Sequence, residues 1–281
     1  AAVRRAGERE FLVAQAEALR RAGLHQHQRL QRLDRRPGID RPIDVAEFGG
    51  LFQGPPDVDR LNERPFPFKP RDIHAVVLSH AHLDHSGLLP RLKREGFDGK
   101  VYATTQALEL LDIMLKDAAH IQEKDTEWEN RRRERAGDQL LAPLYTLQDA
   151  EDVLTLGEPL VYGQKLRITQ DIEICLRDAG HILGSAIVEL WIDADGRQKK
   201  IVFSGDLGNA ATPLLRDPEI VRSADVLLLE STYGDRDHRP LPETLKEFAE
   251  ILAQAQRGGG NVLIPAFAIG RTQELIYHLG E

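Results

Sequence analysis

The chain has 281 residues and a formal net charge of −8, which argues against a broadly basic nucleic-acid binder but leaves room for a locally positive cleft. Its one cysteine, Cys175, rules out an internal disulfide framework and suits a cytoplasmic protein. No apolar run reaches the ~18 residues of a membrane span, and the charged start, which is Ala1 rather than Met, shows no signal peptide. Residues 1–47 are rich in Arg and Gln. Residues 8–21 carry an amphipathic helical period (Phe11, Leu12, Ala14, Ala18, Leu19) without strand alternation. His25 and His27 have metal-pair spacing, but nothing nearby supplies a third ligand, so a solvated polar segment is expected. A buried strand is expected at 75–79, a helix at 87–95, a strand at 100–104 and a helix at 106–116. A polar, helical stretch follows at 120–135. Strands dominate 159–204, with Asp195-Gly196 as a hairpin turn, and Cys175 falls on one of them. A strand at 225–230 closes this part, and a loop with two prolines, Pro240 and Pro242, marks a boundary. Beyond it come a helix at 243–256, a glycine break at 258–260, a strand to Pro265 and a final helix. Helices and strands in this order predict an α/β layout.

The chemistry concentrates where the strand 75–79 ends. His80, His82, Asp84 and His85 crowd into six residues. His80 and His82 are two apart, so an extended backbone points both imidazoles to one side, while Asp84 and His85 follow as the chain turns. One loop then serves two neighbouring points, as a dinuclear site with ions about 3.5–4 Å apart requires. A closed structural zinc site more often uses cysteines. Crowding four such groups beside a buried strand is costly without a partner. Two later segments add candidates. His181 sits in a glycine-bracketed connection, Asp178-Ala179-Gly180-His181-Ile182-Leu183-Gly184. Asp206 follows Phe203-Ser204-Gly205 at a strand end, where a carboxylate can bridge two metals. Taken singly, each has a plain alternative: a hydrogen-bonded loop histidine and a turn or capping aspartate.

Together these motifs resemble the metallo-β-lactamase fold superfamily. Residues 226–236, with Glu230 in Leu229-Glu230-Ser231-Thr232-Tyr233-Gly234, and residues 260–275 are similar to the start of the β-CASP insertion of its RNA-processing members. The resemblance covers residues 50–281 in the family's order. It implies an αββα sandwich carrying the start of a β-CASP domain, divided as an atypical segment 1–47, a metallo-β-lactamase domain 48–235 and a partial β-CASP domain 236–281. It also implies two Zn2+ ions: His80, His82 and His181 on one, Asp84 and His85 on the other, and Asp206 bridging. Glu230 would orient a histidine that acts on the leaving group. A metal-bridging water, ionised near neutral pH, would attack phosphorus, and the metals would neutralise phosphoryl charge. Asp84, Asp206 and Glu230 are the expected catalytic carboxylates, and RNA is the expected partner.

Departures from the family pattern matter too. A further zinc histidine and the histidine partner of Glu230 belong to motifs absent from this sequence. None of His25, His27, His74, His120, His238 or His278 sits in them. His278 reads as a surface residue, His238 as a loop residue and His120 as a structural or cleft position. The first metal position is therefore expected to be better held than the second. The chain reads as a truncated member whose uncovered surfaces favour a homodimer. Phe48 stands where the family has an aspartate supporting the metal histidines. Residues 1–47 lack the family's strands and read as a foreign or frame-shifted segment, or else as a variant helical extension. Arg131-Arg132-Arg133-Glu134-Arg135 reads as a solvated helix face, and Arg271 as a surface or phosphate-facing residue. The expected activity is hydrolysis of RNA phosphodiester bonds by a zinc-bound hydroxide. The alternatives are thioester or lactone hydrolysis on the same fold, and a non-catalytic RNA- or partner-binding fragment. No Gly-x-Ser-x-Gly elbow or phosphate-binding Gly-Lys loop is present.

Overall fold

The computed structural model describes residues 50–51, 61–194, 197–237, 239–266 and 269–280, and before them four strand segments at 2–3, 10–14, 31–32 and 43–45. In chain order these four are β1 (Ala2–Val3), β2 (Glu10–Ala14), β3 (Gln31–Arg32) and β4 (Ile43–Val45). Next come β5 (Ile73–Leu78), α1 (Leu83–Ser86), α2 (Leu89–Arg94), β6 (Lys100–Thr104) and α3 (Thr105–Ala136). They are followed by α4 (Leu147–Leu154), β7 (Gly157–Leu160), β8 (Leu166–Arg167), β9 (Ile172–Asp178), β10 (Ala186–Ala194) and β11 (Arg197–Phe203). The last elements are β12 (Val226–Leu228), α5 (Leu241–Gly258) and α6 (Arg271–Gly280).

Two larger sheets stack. One has the order β2-β5-β6-β7 with all pairings parallel, and the other is the mixed sheet β12-β11-β10-β9-β8. From Ala75 to Leu78 strand β5 is buried on both faces, which is why its sequence there is an unbroken apolar run rather than an alternating one. Val76 and Leu78 pack under the helices with Leu89, Leu92, Leu111, Leu115 and Tyr145. Ala75 and Val77 face the other sheet and meet Ile174, Leu176, Val188, Leu190 and Phe203. The period of two along the strand thus assigns alternate residues to two cores. The result is the αββα arrangement expected from the sequence.

Several boundaries differ from expectation. Residues 10–14 are not helical: β2 lies parallel to β5, with Phe11 opposite Ala75 and Val13 opposite Val77. A short run such as Phe-Leu-Val-Ala serves a buried strand as well as a helix, and periodicity cannot separate the two. The first sheet therefore has a strand from the segment expected to lack one. His25, His27 and Phe48 lie outside the described residues. The helix expected at 87–95 is α2, and a further short helix, α1, precedes it across Gly87-Leu88, so Asp84 and His85 stand on α1 rather than on a loop. The two expected helices at 106–116 and 120–135 are one 32-residue helix, capped by the Thr104 side chain and by Gly137 in the left-handed region. Its buried residues end at Ala119. Beyond that, Arg131, Arg132 and Arg133 pair with Glu127 and Glu129 on the same helix, the solvated face that the charge pattern implied. Helix α4 was not foreseen. Its signal is the capping box Thr146–Asp149, in which each side chain bonds the other's backbone. Residues 261–266 form no strand, and Leu263 is 92% exposed. A lone apolar run without a neighbouring strand has no ladder to join. The described residues contain no helix long and apolar enough to cross a membrane.

The outer face of the mixed sheet holds a buried charge cluster. The Glu189 side chain is 3% exposed, and its carboxylate receives Lys200 Nζ at 2.5 Å and Arg177 Nε at 2.9 Å. Burial pushes its carboxyl upward, but the Lys200 and Arg177 hydrogen bonds outweigh that and hold it below the ordinary 4.5. A depressed carboxyl contributes stability that is complete above its unfolded value and is lost as pH falls through the lower folded one. Glu189→Gln is therefore expected to cost about 2 kcal/mol at pH 7. It should also flatten the decline of the melting temperature below pH 4.5, a comparison that calorimetry across pH makes directly.

Candidate metal centre

The site forms where three connections meet at the rim of both sheets. The first leaves β5. Its Ser79 carbonyl accepts from the Ala186 N–H at 2.8 Å, which ties the strand end to β10. His80 and His82 follow on an extended segment, and α1 begins at Leu83. Ser86 Oγ donates back to the Ala81 and His82 carbonyls, closing this turn. Gly50 and Leu51 N–H groups donate to the Asp84 and Leu83 carbonyls at 2.8 and 2.7 Å, bracing α1 from the other side.

The second connection joins β9 to β10. Ser185 Oγ accepts from the N–H groups of His181 and Ile182. Thr104 Oγ1, at the start of α3, donates to the Gly184 carbonyl at 2.7 Å, and Tyr162 OH donates to the Ser185 carbonyl at 2.7 Å. The third connection leaves β11 and carries Asp206. Leu207 N–H donates to Glu230 Oε1 at 2.7 Å, and Gly208 N–H to the Ala179 carbonyl at 2.9 Å. Gly208 must be glycine here, because a Cβ would lie 1.6 Å from the Gly180 oxygen. The histidine loop and the aspartate loop thus touch backbone to backbone.

These supports bring His80, His82, His181 and Asp206 together, with one donor atom from each lying within 4.8 Å of the others. His82 Nδ1 is 3.2 Å from both His80 Nε2 and His181 Nε2. Asp206 Oδ2 is 3.6 Å from His181 Nε2 and 3.9 Å from His80 Nε2. Tetrahedral ligands at zinc bond lengths sit about 3.3 Å apart, so this donor set fits one ion. The other carboxylate oxygen, Asp206 Oδ1, turns toward His85 Nε2 at 3.5 Å, and Asp84 Oδ2 lies 3.6 Å from the same nitrogen. The two oxygens of Asp206 are thereby divided between two donor groups. Among the described residues the second group has fewer side chains.

The electrostatics favour deprotonated ligands. His80 is wholly buried, and desolvation, followed by the neighbouring His85, His181 and His82, lowers its pKa well below 6.5. Desolvation likewise lowers His181, although Asp206 opposes it. For Asp206 burial acts upward, but His85, His181 and His82 together hold it below its ordinary range. Neutral imidazoles and an ionised carboxylate are the forms a metal ion binds.

Glu230 lies beside the connection that carries Asp206. Its carboxylate accepts from the Leu207 and Thr232 N–H groups, so it braces the backbone that carries Asp206. Its own N–H donates to Ser204 Oγ. His120 is exposed on α3 and His74 on β5. His278 stacks edge-on against Tyr277, and His238 lies outside the described residues. Arg271 is exposed and pairs with Glu274 one turn along α6. Sequence reasoning gave no role to Ser79, Ser185 or Ile269. The two serines stand next to site segments, the one signal that pointed to them. Ile269 carried none.

A centre of histidines and a shared aspartate at the rim of an αββα sandwich is the arrangement of one protein class, and residues 26–159 match the Metallo-beta-lactamase superfamily. The chain belongs to that superfamily and, by its relatives, to the β-CASP group within it. It is 42% identical over 230 residues to Ribonuclease TTHA0252 of Thermus thermophilus, covering 82% of this chain and 48% of that protein. It is 35% identical over 243 residues to the transcription termination factor FttA of Pyrococcus abyssi, covering 85% of this chain and 35% of that protein. A third relative, FttA of Methanococcus maripaludis, is 37% identical over 231 residues, covering 78% and 34%. The chain spans about half the length, or less, of these curated relatives.

Proposed function

We propose that the protein is a zinc-dependent ribonuclease that hydrolyses RNA phosphodiester bonds in the cytoplasm. The observation that carries this reading is the division of the Asp206 oxygens between the His80/His82/His181 group and the Asp84/His85 group. A carboxylate placed in this way could serve two ion positions, as the hydrolysis of a phosphodiester by paired ions would require. When bound, the ions supply an ionised water as nucleophile and neutralise charge on the phosphoryl oxygens. The residues' own work is then positional. His80, His82 and His181 present ring nitrogens, Asp206 spans the two positions, and Glu230 keeps Leu207 and so Asp206 in place. The name of the Thermus relative supports RNA as substrate, and the similarity of residues 226–236 and 260–275 to a β-CASP insertion, read in the sequence, supports a nuclease over a thioester or lactone hydrolase. The division into 1–47, 48–235 and 236–281 belongs to the same reading.

A second reading, RNA or partner binding without cleavage, is favoured by the thinner Asp84/His85 group. An end-labelled, unstructured RNA oligonucleotide incubated with the chain and Zn2+ separates the two. Cleavage that stops with a chelator and returns with added Zn2+ is expected. Retention of intact RNA on the protein, with two equivalents of metal bound, would leave only the binding reading.

A further inference from the structure

We infer that the Ile269-Gly270 turn, at the start of α6 and far from the histidine motifs in sequence, is a positioning element for His82. The inference rests on the reading of His82 as a metal ligand. His82 Nε2 lies 3.4 Å from the Ile269 carbonyl oxygen. A carbonyl can only accept, so Nε2 carries the ring proton and Nδ1 keeps its lone pair. Nδ1 is the atom that faces His80 and His181. The carbonyl therefore selects the tautomer in which the inward nitrogen can donate to an ion, the usual task of an outer partner of a ligand histidine.

The turn is shaped for that contact. Gly270 has φ +92°, and a Cβ there would meet Ile182 Cγ2 at 3.0 Å. Ile182 is the buried neighbour of His181. One short turn thus serves both histidine segments, through a hydrogen bond to His82 and through its place beside Ile182, where a Cβ would press on that side chain. Gly270 N–H donates to Gln273 Oε1 at 2.7 Å, and Glu274 N–H to the Gly270 carbonyl at 3.2 Å, so α6 itself holds the turn in place. The segment similar to a β-CASP insertion is in this way coupled to the metal ligands.

The test compares Gly270→Ala with Gly259→Ala and His82→Ala in the 281-residue chain. Gly259 also has a positive φ, +66°, but a Cβ there meets nothing, so it controls for backbone strain alone. Zn2+ affinity is measured by competition with a chromophoric chelator. The tautomer of His82 is read in the metal-free protein by long-range 1H–15N correlation. Gly270→Ala is expected to weaken the tighter Zn2+ site about tenfold and to lose the single Nε2-protonated form of His82. Gly259→Ala should change neither, and His82→Ala should weaken the site further. Unaltered affinity and tautomer in a folded Gly270→Ala protein would overturn the inference while leaving the metal reading intact. Absence of Zn2+ binding by the parent chain would overturn both. If Gly270→Ala fails to fold, the parent's tautomer decides: an Nδ1-protonated His82 is incompatible with the proposed contact.

Discussion

Replacing Asp206 by alanine is expected to strip metal from both donor groups at once. Its Oδ2 completes the histidine set and its Oδ1 faces His85, so one substitution removes a ligand from each. Elemental analysis should show Zn2+ falling from two equivalents to one or fewer. RNA cleavage should fall on the order of 10³-fold or more, because positioning and charge neutralisation are lost together. Asp206→Asn separates the causes. It keeps the shape but gives up the charge and one acceptor, so partial metal retention with low activity is expected. Two equivalents of Zn2+ in the alanine variant would show that Asp206 does not bridge.

The second large effect concerns a residue that touches no ligand directly. Gly208→Ala places a methyl group against the Gly180 backbone, at a distance no side chain can occupy. Neither neighbour is a flexible side chain, so the 206–208 turn must separate from the 179–181 loop. The cost is expected on the order of 3 kcal/mol. Since one loop carries Asp206 and the other His181, metal affinity should fall with stability. Gly258→Ala, where a Cβ meets nothing, is the matched control. Chemical denaturation and Zn2+ titration of both variants check the pair of outcomes, and equal behaviour would sink the backbone-contact argument.

How much of this was legible beforehand follows from where the physics is local. The candidate ligands were readable because a metal needs several donors of few types, and those types rarely crowd beside an apolar strand by chance. Their sharing was less readable. That Asp206 turns one oxygen to each group depends on the turn geometry at Gly205 and Gly208, which spacing does not encode. Strand β5 was found because a strand buried on both faces shows as an uninterrupted apolar run. Strand β2 was missed for the mirror reason: Phe11-Leu12-Val13-Ala14 satisfies a helical pattern just as well, and only the pairing with β5, some sixty residues away, decides the matter. That the Glu230 carboxylate also accepts from the Leu207 and Thr232 N–H groups was not readable. Bonds to the main chain leave no mark in the sequence. The contact between His82 and Ile269 was invisible for the same reason.

The candidate ligand set also has a mechanical meaning. His80, His82, Asp84 and His85 follow a strand of the parallel sheet, whereas His181 and Asp206 follow strands of the mixed one. Most of the contact between the layers is apolar, with Ala75 and Val77 packed against the opposite strands, an interaction without direction. An ion held by both groups is a cross-link across that interface. Its binding energy becomes folding energy, about 2.7 kcal/mol at a free ion concentration one hundred times the Kd. The metal centre would then act as the rivet of the sandwich as well as its reactive point, and starvation for the ion would loosen the layers before any bond in the substrate was at stake.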